Sequence, residues 1–149
     1  MKKLLVLLSA FVVFSSAHAL DVGVTGSANF SDATSRDSAG VTVSQSFDKY
    51  SLTAGVDRSI VGNTNRVSLV AGYDVAKIGF VTVTAKAGVA RLSVNHSQAF
   101  GNQFIAGVGI TLPVAEKVSL TADYAYHAGQ ANVSAFNGNT VTVGAKYSF

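Results

Sequence analysis

From residue 20 to the end of the chain, apolar and polar side chains alternate in eight separate stretches. Residues 20–30 set Leu20, Val22, Val24, Ala28 and Phe30 against Asp21, Gly23, Thr25, Ser27 and Asn29. Residues 41–48 place Val41, Val43 and Phe47 opposite Thr42, Ser44, Ser46 and Asp48, and residues 50–57 place Tyr50, Leu52, Ala54 and Val56 opposite Ser51, Thr53, Gly55 and Asp57. The same rhythm runs through residues 67–75, from about 80 to 90, 103–112, 118–127 and 140–149. A period of two sends successive side chains to opposite faces of a β-strand. Eight strands are therefore predicted. Register is weakest in the fifth, where Leu92 and Val94 suggest a shift of face after a bulge near Arg91.

The connectors carry a second rhythm. Polar stretches at 31–40, 58–66, 95–102 and 128–139 alternate with tight links around 49, 76–79 and 113–117. Long loops on one rim and short turns on the other characterise transmembrane β-barrels, with the short turns periplasmic. The single proline, Pro113, falls in a tight link, where its missing N–H is harmless. A strand of about 10 residues at ~3.4 Å each and ~45° tilt covers about 24 Å, close to the ~25 Å apolar band of such barrels. Closure removes the unpaired strand edges that hydrocarbon cannot solvate.

Composition decides which solvent the apolar face meets. Apolar residues make up 48% of the chain and charged residues only 13%, about half the usual share. A soluble barrel needs a charged exterior, and the charges for one are absent. Seven of the fourteen glycines (Gly23, Gly55, Gly72, Gly88, Gly107, Gly109 and Gly144) accompany Ser, Thr and Asp on the polar face, which suits the inside of a narrow barrel. Aromatic residues gather near strand ends: Phe47, Tyr50, Tyr73, Phe80, Tyr147 and Phe149 toward the turns, and Phe30, Phe104 and Tyr126 toward the loops. Two such girdles mark two membrane interfaces, so the apolar face is expected to look outward to lipid.

The N-terminus addresses the chain for export. Met1-Lys2-Lys3 precedes an apolar run to Phe14, and Ala17-His18-Ala19 offers a small-residue cleavage site. Residues 1–19 read as a secretory signal peptide too short to span a membrane, leaving 20–149 as one barrel domain. Losing Lys2 and Lys3 leaves nine Lys and Arg against eight Asp and Glu, so no nucleic-acid partner is expected. The chain contains no cysteine, so its stability cannot rest on disulfides.

With the signal Met1–Ala19, the connector rhythm and the ending Tyr147-Ser148-Phe149, the chain resembles the small eight-stranded Gram-negative outer-membrane barrels of the outer membrane protein A transmembrane-domain and outer membrane protein X type. The resemblance implies an all-β, eight-stranded antiparallel up-and-down transmembrane barrel in the cell outer membrane. It implies periplasmic chaperones and the barrel-assembly machinery as partners in biogenesis, with Tyr147 and Phe149 as the assembly signal. No globular cell-wall-binding domain is expected after the barrel, and a monomer is the simplest state.

Inward charges are the first candidate site. Asp74, Lys86, Asp123 and Lys146 lie near turn-side strand ends, and unpaired charges in a narrow lumen are costly, so they are expected to pair with one another. Such a lumen charge network either fills the barrel or gates it. Arg58 and Arg91 share the outward face at the loop side and are candidates for lipopolysaccharide phosphates, against simple snorkelling at the interface.

His96 and His127 are the candidates for acid–base chemistry of the lipid A-modifying barrel enzymes. His127 has no nearby Ser, and Asp123 lies about 13 Å away along the strand, so a polar rim residue is the better reading. Gly107-Val108-Gly109 is mid-strand and no nucleotide loop, and Asn95-His96-Ser97 and Asn132-Val133-Ser134 mark only loop composition. No metal site and no cofactor are expected. Phe100 and Phe136 are the aromatic residues available to a loop ligand. The expected role is structural or surface-interactive, without enzymatic activity. A narrow ion or small-solute pore is the first alternative, and a lipid A-modifying enzyme the second.

Overall fold

The computed structural model describes residues 20–30, 35–60, 64–94, 100–130, 133–134 and 137–149, with only the backbone at 35 and 36. The expected signal peptide at 1–19, His96, Asn132 and Phe136 lie outside the described residues. Eight strands follow in order: β1 Leu20–Phe30, β2 Ser35–Phe47, β3 Tyr50–Ser59, β4 Thr64–Ile78, β5 Val81–Val94, β6 Phe100–Ala115, β7 Val118–Gly129 and β8 Gly138–Ser148. Each pairs antiparallel with the next, and β8 returns to β1 to close the barrel. Closure runs from Phe30↔Asn139 to Asp21↔Ser148, and the Phe149 N–H then donates to the Leu20 carbonyl at 3.0 Å. The fold is an eight-stranded up-and-down transmembrane β-barrel.

Two-residue turns join the strands on one rim, at Asp48–Lys49, Gly79–Phe80 and Glu116–Lys117. Asp48 and Gly79 take the left-handed conformation (φ 55° and 61°) that such tight hairpins need and that Asp and Gly adopt most readily. The strands outrun the alternation on the opposite rim. β2 begins at Ser35 rather than 41, β4 at Thr64 rather than 67, and β6 at Phe100 rather than 103. Pairing continues there through Ser38↔Ser59, Arg58↔Asn65 and Arg91↔Asn102. Toward this rim outward positions such as Arg58, Asn65 and Arg91 turn polar, so the ladder persists after the strict alternation has vanished.

The register of β5 corrects the expected bulge near Arg91. Pairing with β4 is unbroken from Val94 to Thr84, and Leu92 points inward at 4% exposure beside the equally buried Ala90. Leu92 lies in the lumen beside buried Thr64, Gln103 and Thr140, so a single apolar residue on the inward face signals no change of face. Register shifts fall instead on the turn side, around Val75 in β4 and Val114 in β6. Pro113 lies inside β6, next to the second shift, rather than in a link.

The outward face carries large apolar side chains on every strand, among them Val24, Val41, Leu52, Leu69, Val89, Val108, Leu120 and Val143, all exposed. Soluble monomers rarely expose a contiguous apolar surface of this kind, and one that circles the molecule marks a membrane-facing belt.

Candidate functional site

Strand alternation delivers the charged side chains to three heights of the lumen. Near the turns, Lys146 Nζ donates to Asp21 Oδ2 at 3.0 Å, and Ser148 Oγ donates to the other oxygen of Asp21 at 2.5 Å. Mid-lumen, Lys86 of β5 pairs with Asp123 of β7 across β6. The intervening positions are Gly107 and Gly109, opposite Lys86 and Asp123 respectively. A Cβ on Gly109 would lie 2.0 Å from Asp123 Oδ1 and 2.8 Å from Lys86 Cε, so this glycine makes the room in which the pair meets.

Nearer the loops, Arg66 Nε bonds Asp57 Oδ2 at 3.2 Å, and Arg66 Nη1 lies 3.4 Å from His127 Nδ1. Asp57 and Arg66 face each other directly in the β3–β4 register. His127 sits on β7, three strands away, so the Arg66–His127 contact crosses the barrel interior.

These contacts divide the lumen into three cavities. The turn-side cavity, about 180 Å³, is lined largely by hydroxyls such as Ser44, Thr53, Thr82 and Thr121. The central one is about 120 Å³, and Lys86 and Asp123 line both. The loop-side cavity is about 40 Å³ and shares Asp57 and Arg66 with the central one. Ion pairs are the partitions. Asn29 Oδ1 and Thr140 Oγ1 are buried without a hydrogen-bond partner among the described residues, and both residues line the loop-side cavity, which is large enough for a bridging water.

A further element covers the loop-side mouth. Val133, fully buried, packs its methyl groups against Gly101 and Gly129, where a Cβ on either glycine would approach to 2.7 Å. The Val133 N–H donates to the Gln130 carbonyl at 2.9 Å, and Asn137 Oδ1 accepts from the Gly129 N–H at 2.5 Å. The described part of the β7–β8 connection is thus pinned over the mouth.

The four expected network residues do not all meet. Lys86 and Asp123 do, whereas Lys146 pairs with Asp21 and Asp74 accepts a hydrogen bond from Thr84 Oγ1 at 2.7 Å. Barrel closure explains Lys146: it brings β1 beside β8, and Asp21, 6% exposed at its side chain, is nearer than any carboxylate of β4 or β7. Asp74 has no cation partner among the described residues. Asp57 and Arg66 went unnoticed because Arg66 reads as loop, although the parity of Asp57 already placed it inward. His127 is no rim residue. At 4% exposure it is built into the lumen wall, because the Arg66 side chain reaches across to it.

Arg58 and Arg91 project outward and are exposed, and the Arg91 guanidinium lies 5.1 Å above the Phe100 ring. Phe100 therefore belongs to the barrel wall rather than to a loop tip. Tyr147 and Phe149 stand edge to face, centroids 5.0 Å apart, with Lys117 Nζ 5.9 Å from the Tyr147 ring. Among the described residues no cluster of His, Cys, Asp and Glu has the makings of a metal site.

Comparison with solved structures places this architecture among the small transmembrane barrels. Neisserial surface protein A matches at TM-score 0.60 and 19% identity, over 89% of this chain and 97% of that one. The outer membrane protein Ail of Yersinia pestis, in a phospholipid nanodisc, matches at TM-score 0.59 and 14% identity, over 89% and 100%. A de novo designed transmembrane β-barrel matches at TM-score 0.64 and 16% identity, over 88% and 95%. No protein-family model and no curated protein matches the sequence. At these identities the likeness is one of fold, and a designed barrel among the matches makes plain that the fold alone carries no biological role.

Proposed function

We propose that the protein is an integral outer-membrane barrel of structural or surface-interaction role, exported by residues 1–19, with its long loops outside the cell and no enzymatic activity. One observation carries the reading: all eight strands turn apolar side chains outward, while the inward charges are consumed in contacts that obstruct the lumen. An eight-stranded interior is about filled by side chains, so bulk solute passage is not its work. Burial of His127 against Arg66, away from the lipid face where acyl chains lie, supports a non-catalytic histidine. Membrane fractionation followed by gel mobility with and without boiling tests the reading. The protein is expected in the outer membrane with a heat-dependent mobility shift, and recovery as a soluble periplasmic protein without that shift overturns it.

Three cavities in series favour a second reading, a narrow ion pore whose side-chain partitions open transiently. Single-channel recording on purified protein separates the two. A lipid A-modifying activity is the remaining alternative, decided by mass spectrometry of lipid A with and without the protein. Tyr147 and Phe149 serve in this proposal as the signal read during assembly by the barrel-assembly machinery.

A further inference from the structure

The loop-side interface of the barrel is divided into two unlike sectors. On β6, β7 and β1 the outward residues at this height are exposed aromatics: Phe104, Tyr124, Tyr126 and Phe30. On β3 to β5 no aromatic side chain faces out there, and Arg58, Asn65, Arg91 and Ser93 take the positions instead. Register defines the arrangement. Arg58 lies opposite Asn65, Asn65 opposite Ser93, and Ser93 opposite Phe100, while Arg91, two residues below Ser93, lies opposite Val67 and Asn102. Two strand spacings and a two-residue offset put the Arg58 and Arg91 backbones about 12 Å apart. Two arginine side chains span that gap.

Neither guanidinium is neutralised by a carboxylate among the described residues. Arg58 makes no ion pair among the described residues, and the partner of Arg91 is the face of Phe100, which orients the group while leaving its N–H edges free. Among the described residues, the exposed carboxylate of Asp37 on β2 stands two residues from Ala39, the residue opposite Arg58, and makes no salt bridge with it. A guanidinium at the edge of a bilayer prefers a phosphate, which it can grip with two parallel hydrogen bonds. Ser93 and Asn102, both exposed, add donors suited to sugar hydroxyls beside the same arginines.

We infer that the β3–β5 sector is a docking site for a phosphorylated glycolipid of the outer leaflet, held by Arg58 and Arg91 with Ser93 and Asn102 at its edge. The inference rests on the proposed membrane orientation, with the loops outward. It gives the barrel a preferred lipid on one side and ordinary aromatic anchoring on the other. Polar groups facing outward here are thereby matched to a polar head group rather than to acyl chains.

Purified barrel in nanodiscs tests it, with bisphosphorylated lipid A, dephosphorylated lipid A and phosphatidylglycerol as probes. The expected result is retention of bisphosphorylated lipid A at least tenfold over the other two, falling to their level in Arg58→Ala/Arg91→Ala and partly kept in Arg58→Lys/Arg91→Lys. Equal retention of all three lipids, or unchanged preference in the alanine variant, overturns the inference. The heat-dependent mobility shift of each variant reports folding separately, and a wild-type chain that fails to enter nanodiscs defeats the barrel reading itself rather than this site. Should the alanine variant misfold, the lysine variant decides: full wild-type preference there removes the case for bidentate guanidinium binding.

Discussion

The two ends of the lumen solve one problem in opposite ways. Toward the turns, Lys146, Lys86 and Asp123 line a cavity of about 180 Å³ walled by serine and threonine hydroxyls. Toward the loops, Asp57 and Arg66 line a cavity of about 40 Å³ beside buried Leu92, and Arg66 reaches from it to buried His127. The Lys86 and Asp123 side chains are 27% and 22% exposed, against 14% and 13% for Arg66 and Asp57, so the loop-side pair is the drier of the two. Equal charge pairs are therefore expected to differ in energetic weight according to how dry their surroundings are.

Removing Arg66 is expected to be the most damaging single change. Arg66→Met leaves Asp57 buried without a cation and His127 without its partner, at a cost of about 3–5 kcal/mol, the range for breaking a buried pair. The temperature at which the heat-dependent mobility shift occurs should fall sharply, and Asp57→Asn/Arg66→Met should recover most of it. Lys86→Met comes second, at about 1–3 kcal/mol, because Asp123 is more exposed than Asp57 and lines the two larger cavities. Chemical denaturation of both variants in the same detergent measures the difference. Equal losses would erase the distinction between wet and dry ends.

A different quantity changes on deletion of Phe149. Its backbone bond to Leu20 and its ring contact with Tyr147 lie at the turn rim, and Phe149 itself makes no contact with the Arg66 or Lys86 ion pairs. Assembly into membranes in cells should slow severalfold while the denaturation midpoint of purified, folded barrel barely moves. Val133→Ala is expected to be the mildest, a local loss of about 1 kcal/mol from an incompletely filled mouth. Faster amide exchange at Gly129 and Gly101, with the turn-side amides unchanged, is the matching observation.

Strand number, face and closure were legible because lipid on one side and a narrow lumen on the other impose a strict period of two. The Lys86–Asp123 pair was half legible: parity put both inward, but only the register showed that they flank Gly107 and Gly109 on β6. Lys146 was assigned the wrong partners because Asp21 is 125 residues away and becomes a neighbour only on closure. Arg66 and Leu92 were hidden for related reasons. Beyond the apolar band outward residues turn polar and some inward ones turn apolar, so alternation fails just where the strands rise out of lipid. The contact between Arg66 and His127 across the lumen leaves no trace in any local pattern.

The hydrogen bond from Phe149 to Leu20 also sets an order of events. The first strand cannot find its second neighbour until the last strand has been made and delivered, so no partial chain has a closed form to rest in. Until then β1 has an open edge, which must be kept from pairing with other chains. Closure by β8 is therefore the step that shields the β1 edge, and the chain stays open to mispairing for as long as that step is pending.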